Sequence, residues 1–94
     1  MLGQRIHELR LALGWSQVML AKHLNVSKQT VSNWENENIQ PSIEMLIRMA
    51  KVFNVTTDYL LGLENVPRLD VTGLPTHVIA HVSSLIDDLR FPKL

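Results

Sequence analysis

From Ile6 to Leu60 the apolar residues recur at helical rather than strand spacing. Ile6, Leu9 and Leu13 make one stripe, and Gly14 stops it. Ser16 stands as an N-cap before Val18, Leu20, Ala21 and Leu24, because a hydroxyl accepts the unpaired N–H groups of a first turn. Asn25 suits a left-handed turn, since its short polar side chain tolerates that conformation. Ser27 caps a third helix, roughly Lys28 to Asn36. Pro41 and Ser42 open a fourth, with Ile43, Leu46, Ile47, Ala50 and Phe53 on its apolar side. Thr56 or Thr57 caps a last short helix, Asp58 is favourable in its first turn, and Gly62 ends it. No strand-like alternation competes, so an all-α body of five helices is predicted over residues 1–62.

The composition breaks after Gly62. Residues 63–74 hold Pro67 and Gly73, show no helical period, and read as a linker with Val66, Leu69 and Val71 as local apolar anchors. The remainder, 75–94, carries one helix from Pro75 to about Arg90. Val78, Ile79, Val82, Leu85, Ile86 and Leu89 form a continuous apolar stripe there, and Asp87, Asp88 and Arg90 avoid it. A lone helix of this length is marginal in water. Burying each such side chain is worth about 1.5–3 kcal/mol, so the stripe must find cover on its own body or on another chain.

Charge and composition narrow the function classes. Nine Lys and Arg balance nine Asp and Glu. A neutral chain is not a polycation that coats nucleic acid by charge alone, although it can still place a few groups well. There is no cysteine, hence no disulfide framework, thiolate metal site or thiol nucleophile. No uncharged apolar run reaches membrane-spanning length, and the amphipathic start MLGQRIHELR reads against a secretory signal. The expected setting is cytoplasmic. No Ser/His/Asp or paired-carboxylate constellation is legible, so neither an enzyme nor a cofactor is expected. His77 and His81 share the i, i+4 spacing of a helical metal site, but no matching acidic or cysteine ligand joins them; they read as boundary residues. His7 and His23 show no partner pattern.

Residues 17–36 place two short helices around only Asn25, Val26 and Ser27. So short a connection forces a steep crossing, and the small Ala21 permits close approach. Leu20, Leu24, Val26, Val31 and Trp34 would fill the crossing. This is the helix-turn-helix arrangement, whose second helix can enter the major groove. On that helix Lys28, Gln29, Ser32, Asn33 and Asn36 form one polar face opposite Val31 and Trp34. Gln and Asn can pair bidentately with adenine, and Lys can donate to guanine.

The stretches GWSQVMLAKHLNVSKQTVSNWEN and QPSIEMLIRMAKVFNVTTDYLLG closely resemble the Cro and phage-repressor-like class, the XRE family, from about Arg5 to Gly62. The resemblance implies a sequence-specific transcriptional regulator of double-stranded DNA. It implies base contacts by Lys28, Gln29 and Asn33, with Ser32 nearer a phosphate or packing role. It also implies phosphate contact by Gln17, whose amide stands at a helix start; Asn36, Asn38 and Lys22 are further phosphate candidates. Arg10 and Glu35 match a structural ion pair of that family, and Trp34 a core position. One departure stands out: Glu37 occupies the place where the family usually turns on Gly, so the turn is expected at Asn36 or Asn38, or in a longer helix. With the five-helix core complete, the 75–94 stripe is expected to pair with a second copy, giving a dimeric repressor of a palindromic operator. The alternatives are an antitoxin that represses its own operon beside a toxin protein, or an interaction module that exchanges its C-terminal helix with an antagonist.

Overall fold

The computed structural model describes residues 1–91. The last three residues of the expected 75–94 segment lie outside the described residues. Six helices follow one another: α1 (Leu2–Ala12), α2 (Gln17–Leu24), α3 (Lys28–Glu35), α4 (Ile43–Phe53), α5 (Thr57–Leu60) and α6 (Thr76–Arg90). There is no strand among the described residues.

Hydroxyls start four of these helices. Ser16 Oγ accepts from the Met19 N–H, Ser27 Oγ from Thr30, Ser42 Oγ from Met45 and Thr56 Oγ1 from Tyr59, all at 3.0–3.1 Å. Each such cap is worth about 1 kcal/mol. One motif ends the first five helices. A residue at positive φ stands just past each: Gly14, Asn25, Glu37, Asn54 and Gly62. The N–H of the next residue then reaches back to a carbonyl five positions earlier, at 2.8–3.1 Å: Trp15 to Arg10, Val26 to Ala21, Asn38 to Asn33, Val55 to Ala50 and Leu63 to Asp58. Leu24-Asn25-Val26-Ser27 and Phe53-Asn54-Val55-Thr56 are therefore the same connector used twice. An apolar residue ends the helix, Asn turns the chain left-handed, Val closes the loop, and a hydroxyl starts the next helix.

The turn after α3 is taken by Glu37 itself, at φ 62°, and not by Asn36 or Asn38; nor does the helix run longer. A glutamate there costs about 1–2 kcal/mol of backbone strain. Its side chain supplies an offset, because Glu37 Oε1 accepts the Gly3 N–H at 2.7 Å and so caps α1, which has no side-chain cap of its own. The Glu37 carboxylate is thus directed at the start of α1. α1 crosses α3 closely enough that a Cβ on Gly3 would lie 2.5 Å from the Trp34 carbonyl oxygen and 2.7 Å from that of Glu35.

Ile6, Leu20, Leu24, Val31, Met49 and Leu60 are fully buried, with Trp34 and Phe53 beside them. α3 packs against both α1 and α2, while α4 packs against α2 and α5. The apolar side of α4 is rotated from the expected one. Met49, Ala50 and Phe53 are buried and Met45 and Leu46 pack on them, whereas Ile43 is 78% exposed and Ile47 is also exposed. Leu13 and Val18 likewise face solvent. Val66 and Leu69 do not anchor the 63–74 segment, since both are exposed. Val71 is half-buried, and polar contacts also hold the segment: Thr56 Oγ1 donates to Glu64 Oε2 at 3.2 Å, and the Asp70 N–H donates to Asn54 Oδ1 at 3.3 Å. No residue of α6 is buried. The radius of gyration is 15.1 Å, against about 12 Å for a close-packed chain of this length.

Gly3→Ala is expected to destabilise the fold by about 1–3 kcal/mol, because the new methyl meets backbone carbonyls that cannot rotate away. Urea unfolding reads this directly. An unchanged midpoint would mean that α1 and α3 can separate freely.

Candidate nucleic-acid interface

The site is assembled around one carboxylate. Glu35 ends α3 with its side chain only 4% exposed, and that of Arg10, from α1, is 8% exposed. Arg10 Nε donates to Glu35 Oε2 at 2.7 Å and Nη2 donates to Oε1 at 3.0 Å, while Nη1 donates to the Trp15 carbonyl at 2.8 Å. The planar guanidinium matches the carboxylate in a fork, which a lysine could not do. Two more groups converge on Oε1: His7 Nδ1 at 2.8 Å and Gln17 Nε2 at 3.2 Å. No buried side-chain nitrogen or oxygen among the described residues lacks a partner.

Burial pushes the Glu35 carboxyl up, but the hydrogen bonds from Arg10, His7 and Gln17, with the Arg10 charge, outweigh it and hold it below the usual glutamate value. The Arg10 guanidinium is correspondingly held even further up, mainly by its hydrogen bond to Glu35. A carboxyl depressed on folding stabilises the native state above its ordinary range, and that contribution is lost as pH falls through the folded value.

The Gln17 contact ties the first turn of α2 to the last turn of α3. Gln17 is half-buried and its amide nitrogen donates to Glu35, so the amide serves as a strut. Along α3, Lys28 and Gln29 are exposed and Ser32 and Asn33 half-buried, all on one side of the buried Val31 and Trp34. Gln29 Nε2 donates to Asn33 Oδ1 at 3.0 Å, and Asn36 Nδ2 to Ser32 Oγ at 3.3 Å. These i, i+4 bonds align the amides along the face before any ligand arrives. Asn36 and Asn38 are exposed beyond the helix, and Lys22 is exposed on α2.

Residues 6–60 match the profile of the family described as Helix-turn-helix. The chain belongs to that family, of the XRE type. The HTH-type transcriptional regulator ImmR of Bacillus subtilis (strain 168) is 36% identical over 73 residues, 78% of this chain and 58% of that protein. The chain thus spans less than two thirds of that relative's length. Among solved structures, the P22 c2 repressor in complex with a synthetic operator superposes with TM-score 0.61 at 33% identity, covering 64% of this chain and 91% of that one. SinR, described as a master regulator for biofilm formation and solved in complex with DNA, gives TM-score 0.61 at 35% identity over 65% of this chain and 98% of that one.

Within this helix-turn-helix body, the sequence reading missed three participants. His7 has a partner after all, the Glu35 carboxylate, which lies 28 positions away and leaves no local pattern. His23 stacks on Trp15, ring centroids 4.1 Å apart and planes 6° from parallel; the contact joins the loop before α2 to that helix's last turn. Glu37 caps α1. Of these, only the Trp15–His23 pair, eight residues apart across one short helix, left a signal that sequence inspection could have found. Among the described residues no three His, Cys, Asp or Glu are grouped to hold a metal ion, and no helix is long and apolar enough to cross a membrane.

Glu35→Gln is expected to lower stability at neutral pH by about 3–5 kcal/mol, because Arg10 is left buried and unpaired. It should also flatten the decline in stability below the usual glutamate range. Thermal melts of both proteins from pH 7 down to pH 3 test this. A parallel acid slope in the variant would show that Glu35 does not carry the acid sensitivity.

Proposed function

We propose that this chain is a sequence-specific DNA-binding transcriptional regulator, acting as a homodimeric repressor that occupies a palindromic operator. The carrying observation is the α3 face. Lys28, Gln29 and Asn33 stand together on the exposed side of a helix whose other side is locked into the core. In this reading residues 1–62 bind DNA, 63–74 link, and 75–94 dimerise. Lys28, Gln29 and Asn33 read base edges, with Ser32 beside them. Gln17, Asn36, Asn38 and Lys22 hold phosphates, and Gln17 retains one amide hydrogen for that purpose while the other goes to Glu35. Arg10 and Glu35 keep α1, α2 and α3 in register. No chemistry and no cofactor is required, because occupancy of the operator is the whole effect. The relatives solved on DNA support the reading for the body.

Dimerisation supplies the second half of the specificity. Two recognition helices about 34 Å apart on one face of the duplex read both halves of a palindrome. The stripe at Val78, Ile79, Val82, Leu85, Ile86 and Leu89 is the proposed interface, since α6 leaves all of it at least partly exposed.

Selection of binding sites from random duplex DNA, with the Gln29→Ala variant in parallel, tests the proposal. Enrichment of a two-fold-symmetric motif is expected. The variant should lose about 1–3 kcal/mol on that motif and relax one base position in each half. Lys22→Ala should instead weaken all sequences alike and reduce the salt slope by about one. No enrichment by folded protein would overturn the reading.

A further inference from the structure

The order of residues on α6 specifies how a second copy would lie on it. Val78, Val82, Leu85 and Leu89 are spaced four, three and four apart, the repeat of a coiled-coil seam. This pattern reads the same in both directions about the midpoint between Ser83 and Ser84. The two flanks of the seam differ in chemistry. Ile79 and Ile86 line one side, and His81 and Asp88 line the other. Leu85 and Leu89 are 58% and 74% exposed, and the flank residues His81 and Asp88 are exposed as well.

Two helices can pair on this seam in either direction. A parallel partner sets the isoleucine flank of one copy against the histidine and aspartate flank of the other, apolar against polar along both edges. An antiparallel partner, related by a two-fold axis across the helices, sets each flank against its own kind. Ile79 then meets the partner's Ile86, and His81 meets the partner's Asp88, a donor facing a carboxylate. The axis repeats both contacts. Antiparallel packing also opposes the helix dipoles, and it sets the His-bearing first half of α6, which holds no acidic residue, against the partner's half carrying Asp87 and Asp88.

From this we infer that two copies of this chain join through α6 in antiparallel register, with Val78 opposite the partner's Leu89 and Val82 opposite its Leu85. This inference rests on the proposed homodimer and specifies its geometry. Each His81–Asp88 contact is a register lock, because a shift by one heptad removes it.

The absence of cysteine makes the test direct. Val78→Cys and Leu89→Cys chains are prepared separately and mixed under mild oxidation, while sedimentation of the unmodified full chain establishes its oligomeric state. In antiparallel register the mixture forms a covalent heterodimer. Neither variant cross-links to itself, because like positions are then about 16 Å apart along the axis, beyond disulfide reach. Self-linking of the Val78→Cys chain without a mixed product would leave the dimer intact and overturn the direction. A sedimenting dimer with no cross-link of any kind would place the interface elsewhere and also overturn it. A monomer would remove the homodimer reading itself. As an independent check, Asp88→Lys should weaken the dimer several-fold, and His81→Glu added to it should restore the affinity. Failure to restore would deny the contact.

Discussion

Bringing the end of α3 against α1 places a carboxylate where little water reaches it. Glu35 must be neutralised there, and the way it is neutralised organises the body. Arg10 supplies charge and a two-pronged fork from α1, Gln17 an amide from α2, and His7 a ring nitrogen. Three helices are thus referenced to one pair of oxygens. A purely apolar contact at that point would tolerate sliding by an ångström or so. Directional bonds to a buried charge do not, because each displaced donor leaves part of the charge unpaired. α3 and the helix before it are thus held at a defined angle, as the proposed reading of base edges requires.

The same economy appears at the helix ends. Five turns use one left-handed motif, and only two of them have glycine at the turning position. Asn25 and Asn54 adopt the conformation at small cost. Glu37 adopts it at greater cost, offset through its hydrogen bond to the start of α1. That bond adds a second tie between α1 and the end of α3, about two turns of α1 away from the Arg10–Glu35 pair. Gly3 makes this second tie through its own N–H, and its lack of a side chain lets the α1 backbone meet the carbonyls of Trp34 and Glu35 there.

The proposed DNA surface carries few free charges. Arg10 is consumed by Glu35, which leaves Lys22 and Lys28 as the cations among the assigned contacts. Affinity then depends on amide and backbone donors at well-placed helix ends more than on counterion release. A module of this kind gains from a partner, which the proposed pairing of α6 would supply.

Much of this was legible in the residues themselves. The caps at Ser16, Ser27 and Ser42, the left-handed Asn25 and the five-helix body follow from local chemistry, which acts over a few positions and leaves its mark on a few positions. The family resemblance over residues 5–62 added the Arg10–Glu35 pair, which no local pattern could reveal. Three things needed the tertiary structure. The burial of Met49 rather than Ile43 on α4 depends on where α2 and α5 press, and both candidate stripes are apolar. The choice of Glu37 as the turning residue depends on α1 arriving within reach of its carboxylate, 34 residues away along the chain. The roles of His7 and of the Gln17 amide depend on a buried charge assembled from three helices. Sequence alone determined which elements form and, the end of α3 apart, where they stop, because propensity and capping are short-ranged. Tertiary structure decided which of several chemically adequate residues meet, because that choice belongs to packing between distant segments.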